Sequence, residues 1–383
     1  MQHSLDTLLI HAGLTTDPRT GAVNTPIYQT STYAQTALGQ NLGYEYSRTK
    51  NPTRDGIESL IAECEGGKYG FAFASGMAAI GTILSLFKSG DCIIISQNVY
   101  GGTFRILDKV FKNFNISYKI VDTRDLSTLE SAITKDVKAV LVETPANPLL
   151  NVTPLEPLAK LCKQKEVLSI VDNTFMTPYL QQPLKLGIDI VLHSATKYLG
   201  GHSDLVAGLV VVDDEDLAER IGFLQNSIGG VLAPFDSFLL IRGIKTLGLR
   251  MQRHSENALF LAEHLSKHEA IERVYYPGLK SDSEYKIQSK QARAGGGMIS
   301  FVLKDGYDYK KFFASTKIIV LAESLGGVES LLCHPASMTH ASIPKDLRES
   351  MGISENLIRL SVGIEYANDL LDDINQAIEV SRI

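Results

Sequence analysis

Short apolar runs alternate with amphipathic stretches through the middle of this chain. Six runs have the length of a buried strand and lie at residues 92–96, 116–121, 139–142, 168–171, 188–192 and 207–212. Between the first two, apolar residues recur at the spacing of one helix face: Phe104, Ile106, Leu107, Val110, Phe111 and Phe114. Strands that alternate with helices predict an α/β fold whose mostly parallel sheet is covered on both faces.

The pattern differs on either side of this region. The first fifty residues are polar and rich in threonine, tyrosine and glycine, and they predict an arm that lies against another surface. A long helix-like stretch at residues 244–266, strand-like runs at 297–303 and 357–362, and a helix at 368–378 predict a smaller α+β unit. The predicted parts are an N-terminal arm, an α/β domain and a C-terminal α+β domain, at residues 1–53, 54–243 and 244–383.

The composition excludes several classes of protein. The net charge is −6 and no block of lysine and arginine is present, which argues against a nucleic-acid or anionic-membrane partner. The apolar runs are too short to span a bilayer, and the first residues lack the regions of a secretory signal. The four cysteines form no C-x-x-C pair, so we expect free thiols and a cytoplasmic protein. No metal site is predicted, because His264 and His268 lack a third ligand nearby.

Polar residues follow three successive strands of the predicted sheet. The runs end in Glu143-Thr-Pro-Ala-Asn147, Asp172-Asn-Thr and His193-Ser-Ala-Thr-Lys197. Ligands bind outside the carboxyl ends of the strands in such sheets. We therefore expect these side chains to form one site.

Lys197 is the most informative of these residues. An ammonium at the end of a core strand is costly to desolvate. That cost disappears when the amine is condensed with an aldehyde. Ser194 and Thr196 flank the lysine with hydroxyl groups that can hold a phosphate beside the aldehyde. The stretch therefore predicts a lysine that binds pyridoxal phosphate.

Two further charged residues fit this hypothesis. Asp172 can pair with the protonated pyridine nitrogen of the cofactor, although an Asx turn or a helix cap is the ordinary alternative. Arg359 lies in an apolar strand-like run, where its guanidinium needs an anion. A substrate α-carboxylate fits its bidentate fork, and a structural salt bridge is the alternative.

Two glycine-containing turns complete the predicted site. Ser75-Gly76-Met77 precedes a helix start, where glycine and free amides suit a phosphate. Tyr100 precedes Gly-Gly-Thr between a strand and a helix, so its ring can stack on a flat cofactor. A tyrosine that only packs in a loop is the alternative.

Taken in order, the motifs of the whole chain resemble the Cys/Met-metabolism pyridoxal-phosphate enzymes. They are Tyr46-Ser-Arg-Thr-Lys-Asn-Pro-Thr-Arg54, Ala74-Ser-Gly-Met77, Val99-Tyr-Gly-Gly-Thr103, Glu143-Thr-Pro-Ala-Asn147, Val171-Asp-Asn-Thr174, the lysine segment, Asn226-Ser, Arg242-Gly-Ile-Lys-Thr, Tyr276-Pro-Gly-Leu, Glu323-Ser-Leu-Gly-Gly-Val-Glu-Ser, Met338-Thr-His-Ala and Arg359-Leu-Ser-Val-Gly. The resemblance implies fold type I, like aspartate aminotransferase, with pyridoxal 5′-phosphate as cofactor. It also implies a homotetramer of two active dimers.

The resemblance also implies a role for individual residues. Lys197 would bind the cofactor covalently, Asp172 would pair with the ring nitrogen, and Tyr100 would stack on the ring as the third catalytic residue. Asn147 would contact the ring hydroxyl. The phosphate would be held by Gly76, Met77, Ser194 and Thr196, and across a subunit boundary by Tyr46 and Arg48. The substrate carboxylate would be held by Ser324 and Arg359.

The acidic residues bear on the reaction. Glu45 and Glu323 resemble the pair that receives the distal amino group of cystathionine. β-Lyases typically carry an aromatic residue in place of Glu323, and methionine γ-lyases carry a cysteine near the ring. The resemblance therefore favours γ-elimination of cystathionine, with cystathionine γ-synthase, which joins an O-acylated homoserine to cysteine, as the alternative.

A catalytically silent, cofactor-binding protein is an alternative of another class, and it would have a broken Lys197–Asp172–Tyr100 set. The set is intact here. Residues 279–286 depart from the family, which usually has histidines after this Pro-Gly-Leu, and no function is assigned to them.

Overall fold

The computed structural model describes residues 3–339 and 345–383. Its helices are α1 (Leu5–His11), α2 (Pro52–Glu65), α3 (Gly76–Leu84), α4 (Gly101–Lys109), α5 (Leu126–Ala132), α6 (Leu155–Gln164), α7 (Thr177–Leu180), α8 (Glu215–Ile228), α9 (Pro234–Ile244), α10 (Leu247–Leu265), α11 (Tyr285–Gln291), α12 (Tyr309–Ser315), α13 (Lys345–Ser350) and α14 (Ala367–Ser381). Its strands are β1 (Tyr69–Phe73), β2 (Cys92–Ser96), β3 (Ser117–Val121), β4 (Val137–Glu143), β5 (Leu168–Asp172), β6 (Ile190–Ser194), β7 (Gly208–Val212), β8 (Ile271–Tyr275), β9 (Met298–Leu303), β10 (Val320–Leu321), β11 (Leu331–Cys333) and β12 (Leu357–Ser361).

A seven-stranded sheet is the centre of the larger part of the molecule. Its strand order is β1-β7-β6-β5-β4-β2-β3. Strands β2 to β6 pair in parallel, whereas β7 runs antiparallel to both β6 and β1. The predicted mostly parallel sheet is therefore confirmed, with an antiparallel edge.

Helices bury both faces of this sheet, because side chains of successive strand residues alternate between them. On one face, side chains of the strands pack with α3 and α8, as shown by Ile95, Leu141, Ile170, Ile83 and Ile221. On the other face, they pack with α6, as shown by Ile94, Val142, Val171, Leu158 and Cys162. The carboxyl ends of β4, β5 and β6 thus emerge together between two packed layers.

A second sheet of five strands has the order β10-β11-β12-β9-β8. It is mostly antiparallel, and α10, α12 and α14 bury one core with it, including Leu261, Phe312 and Ile374. A smaller sheet unit in the C-terminal part was predicted and is confirmed. The division of the chain at residues 53 and 243 stays a prediction.

Some local expectations were wrong. The helix predicted at residues 244–266 begins only at Leu247, because α9 ends at Ile244 and two residues separate the helices. Strand β1 and helix α8 were not predicted. Strand β1 pairs with β7, which lies far along the chain. The residues next to β1 in the sequence therefore give little indication that a strand forms there.

The N-terminal arm has one short helix that is anchored to the core. Leu5 and Leu9 of α1 are buried, whereas Val23, Leu38 and Leu42 are 85%, 101% and 80% exposed. Within the described part of the chain, no helix has both the length and the apolar character needed to cross a bilayer.

Candidate active site

A cleft of about 320 Å³ opens where the carboxyl ends of β4, β5 and β6 meet the second sheet. Eleven of the residues predicted for the site line it: Gly76, Met77, Tyr100, Asn147, Asp172, Ser194, Thr196, Lys197, Glu323, Ser324 and Arg359. The expectation that three strands deliver polar residues to one edge is therefore confirmed.

Lys197 lies in the turn that follows β6. Its Nζ donates a hydrogen bond of 2.6 Å to Ser324 Oγ. Burial, followed by the positive charge of Arg359, lowers the pKa of the Lys197 amine to about 8, and the negative charge of Glu323 opposes this shift. At pH 7 about a tenth of this amine is therefore neutral, far more than of an ordinary lysine.

Arg359 joins the two sheets at the floor of the cleft. It is only 2% exposed in the middle of β12. Its Nη1 donates to Asn147 Oδ1 at 3.0 Å and its Nη2 to the carbonyl oxygen of Ser324 at 2.9 Å. Its buried Nε has no hydrogen-bond partner among residues 3–339 and 345–383. A guanidinium with an unused buried donor suits a bound carboxylate.

Asp172 and Glu143 end neighbouring strands in register. Thr174 donates to Asp172 Oδ1 from both its backbone N–H and its hydroxyl. Burial raises the pKa of Asp172. Burial, followed by the charge of Asp172, raises the pKa of Glu143 to about 8. Two buried carboxyl groups side by side would be stabilised by a cationic ligand in the cleft.

The amino end of α3 forms the opposite wall. Ser75 caps the helix by accepting from Ala78 N at 3.0 Å. A Cβ on Gly76 would lie 3.0 Å from Ser194 Cβ, so glycine is needed for this close approach. Thr196 lines the same wall, and its hydroxyl also bonds to the backbone of Ala207. Free amides at a helix start beside these residues suit a phosphate.

The family model for Cys/Met metabolism PLP-dependent enzymes matches residues 6–379. The chain belongs to this family. The family depends on pyridoxal phosphate, as the lysine segment predicted.

Relatives of this Cys/Met-metabolism enzyme carry different names. A cystathionine beta-lyase of Lactococcus lactis subsp. cremoris (strain MG1363) is 57% identical over 376 residues, 98% of this chain and 99% of its own. A cystathionine gamma-lyase of Bacillus subtilis (strain 168) is 53% identical over 373 residues, 97% of this chain and 98% of its own. A cystathionine gamma-synthase of Mycobacterium leprae also matches. A β-lyase is therefore among the named relatives, although the presence of Glu323 was expected to disfavour β-elimination.

A solved structure confirms fold type I. The crystal structure of cystathionine gamma-lyase from Lactobacillus plantarum complexed with L-serine has a TM-score of 0.97 and 51% identity, and the match covers 99% of each chain.

The residues of the cleft fit pyridoxal phosphate. The buried pair of carboxyl groups at Asp172 and Glu143 suits a protonated ring nitrogen, and the turn at Gly76 leaves no room for a side chain beside Ser194. Lys197 would bind the cofactor covalently, and Tyr100, 43% exposed at the rim, would cover its ring. The predicted roles of the single residues stay predictions.

Three predicted residues do not reach the cleft of a single chain. Glu45, Tyr46 and Arg48 are exposed residues of the arm and do not line it. The Arg48 guanidinium lies 5.6 Å from the Tyr46 ring and donates to Asn226 Oδ1 at 3.0 Å. This placement fits the prediction that the pair serves a neighbouring subunit, which stays a prediction. His340, which belongs to one of the family motifs, lies outside the described residues.

No individual role was predicted for Glu143, although it directly follows the strand-like run at residues 139–142. Thr174, Phe175 and Leu325 also line the cleft without having been predicted. The strand-end position of Glu143 was the available signal. Its pairing with Asp172 depends on strand order, which the sequence did not provide.

Proposed function

We propose that this chain catalyses the γ-elimination of L-cystathionine, which with one water gives L-cysteine, 2-oxobutanoate and ammonia. The observation that carries the proposal is Glu323, which lines the same cleft as Lys197 and Arg359. Cystathionine has an amino acid group at each end. Arg359 can bind the α-carboxylate at the reacting end, and Glu323 can receive the ammonium group at the distal end.

Pyridoxal phosphate, when bound, supplies an electron sink for charge that develops at the substrate carbons. The chain's own residues supply orientation and proton transfer. Lys197 Nζ can accept the α-proton because its pKa is lowered to about 8, and Ser324 Oγ holds the amine at 2.6 Å. Asp172 would stabilise a proton on the ring nitrogen, because a buried carboxylate in the cleft is stabilised by a cationic partner.

β-Elimination of the same substrate is the second candidate, because the relative from Lactococcus lactis that is 57% identical is named a cystathionine beta-lyase. That reaction breaks the other carbon–sulfur bond and gives homocysteine, pyruvate and ammonia. The 2-oxo acid that forms therefore distinguishes the two reactions.

The test is a product assay on the purified holoenzyme with L-cystathionine. We expect 2-oxobutanoate in large excess over pyruvate, and a Lys197→Ala variant should form neither. Pyruvate as the main product would overturn the proposal in favour of β-elimination. A separate incubation of O-acetylhomoserine or O-succinylhomoserine with cysteine tests the γ-synthase reaction. If this incubation forms cystathionine, and the assay with L-cystathionine forms no 2-oxo acid, the γ-synthase reaction is assigned instead.

We also propose that the active form is a homotetramer of two active dimers. The exposed apolar side chains of the arm, at Val23, Leu38 and Leu42, would then be covered, and Tyr46 and Arg48 would approach a neighbouring cleft. Sedimentation velocity should give a mass near four chains of 41.9 kDa. A monomeric active enzyme would contradict this proposal.

A further inference from the structure

Glu143 connects two loops that carry predicted site residues. It ends β4 and is 5% exposed. Its Oε2 accepts the backbone N–H of Tyr100 at 2.9 Å, and its Oε1 accepts the backbone N–H of Asn147 at 3.3 Å. One carboxylate therefore fixes the start of α4 and the loop after β4 relative to each other.

Each loop presents a side chain to the cleft. Tyr100 stands immediately before α4, where its own side chain does not cap the helix. Asn147 Oδ1 accepts from Arg359 Nη1 at 3.0 Å. A displacement of the Glu143 carboxylate would therefore change the position of the ring at one end of the cleft and of the guanidinium at the other.

The geometry of this position requires a carboxyl group with two acceptor oxygens. A glutamine side chain has one acceptor oxygen and an NH₂ group in place of the other, so it cannot accept at both the Oε2 position facing Tyr100 N and the Oε1 position facing Asn147 N. Burying a carboxylate is costly, and here burial and the neighbouring Asp172 both disfavour its charge. A side chain that only filled space at this position would cost less free energy to bury if it were uncharged.

We propose that Glu143 is a positioning residue that holds Tyr100 against the cofactor ring and, through Asn147, holds Arg359 against the substrate carboxylate. This inference rests on the roles proposed above for those three residues. It assigns Glu143 no contact with substrate.

The test compares Glu143→Gln holoenzyme with wild type in three measurements: the circular dichroism of the bound cofactor in its visible band, the cofactor Kd by equilibrium dialysis, and KM and kcat for total 2-oxo acid formed from cystathionine. One backbone N–H must lose its acceptor oxygen. We therefore expect an altered dichroic band and a rise of about 10-fold in KM or in cofactor Kd.

Asp373→Asn is the matched control. Asp373 is also a buried carboxylate that accepts from backbone N–H groups, those of Lys317, Ile318 and Ile319 at 2.8, 2.9 and 2.9 Å, but it lies outside the cleft. This variant should lose thermal stability while its dichroic band, cofactor Kd and KM stay unchanged. A Glu143→Gln variant with the same behaviour would overturn the inference.

A second variant keeps the inference testable if Glu143→Gln fails to fold. Glu143→Asp retains both oxygens on a shorter side chain, so both N–H contacts should lengthen and the same three quantities should change. Wild-type values for Glu143→Asp would equally overturn the inference. The dichroic band and cofactor Kd do not depend on which product forms, so failure of the proposed γ-elimination remains distinguishable.

Discussion

The amine of Lys197 should lose its proton near pH 8, and this can be measured on the apoenzyme. Burial, together with Arg359, lowers its pKa to about 8. At pH 8 about half of such amines are neutral, against roughly 0.4% for a lysine with the ordinary pKa of ~10.4. Only the neutral amine attacks an aldehyde, so Lys197 should capture the cofactor up to roughly 100-fold faster than a surface lysine.

The assay follows covalent capture of the cofactor aldehyde between pH 7 and 10. Apoenzyme is mixed with pyridoxal phosphate, the product is reduced with borohydride after a short interval, and the modified peptide containing Lys197 is quantified by mass spectrometry. The rate should reach half its maximum near pH 8. Modified surface lysines in the same digest serve as the internal control.

Two variants test the cause of the shift. Arg359→Gln removes a positive charge that lowers the pKa of Lys197, so the half-maximal pH should rise. Glu323→Gln removes a negative charge that raises it, so the half-maximal pH should fall. A half-maximum above about pH 9.5 in wild type, or shifts of both variants in the same direction, would refute the reasoning.

Three further predictions concern single residues. Asp172→Asn should weaken cofactor binding at least ~100-fold by equilibrium dialysis, because breaking a buried charge pair costs about 3–5 kcal/mol; a Kd within threefold of wild type would contradict the pairing. Arg359→Lys keeps the charge but loses the bidentate fork, so KM for cystathionine should rise about 10-fold with a smaller change in kcat, and an unchanged KM would place the carboxylate elsewhere. Burial lowers the pKa of His254 to about 4, so the unfolded chain binds a proton below pH ~6.5 that the folded chain does not. The free energy of unfolding should therefore fall by up to about 3 kcal/mol between pH 6.5 and 4 in denaturant titrations, and an equal fall in His254→Gln would contradict this assignment.

The sequence predicted the parallel part of the large sheet well, because its buried strands are short uninterrupted apolar runs. The run at residues 92–96 coincides with β2, and the run at 168–171 differs from β5 only by the final Asp172. The position of the polar residues after these strands was predicted equally well, since parallel strands bring their carboxyl ends to one edge of the sheet.

The parts that the sequence did not predict depend on contacts between distant segments. Strand β1 is recognised only through its antiparallel partner β7, and Glu143 lies beside Asp172 only because β4 is the neighbour of β5. The placement of Tyr46 and Arg48 relative to a cleft depends on association between chains. A single sequence carries no direct signal for such contacts, and the family motifs supplied the prediction instead.

The position of β1 at the sheet edge has a consequence for synthesis of the chain. Its partner β7 begins at Gly208, so residues 69–73 must wait for that segment to leave the ribosome before they can pair. At bacterial and eukaryotic elongation rates this delay is on the order of ten seconds. During that interval residues 69–73, which include Phe71 and Phe73, have no strand partner at the sheet edge, and unpaired apolar strands of this kind are prone to aggregation.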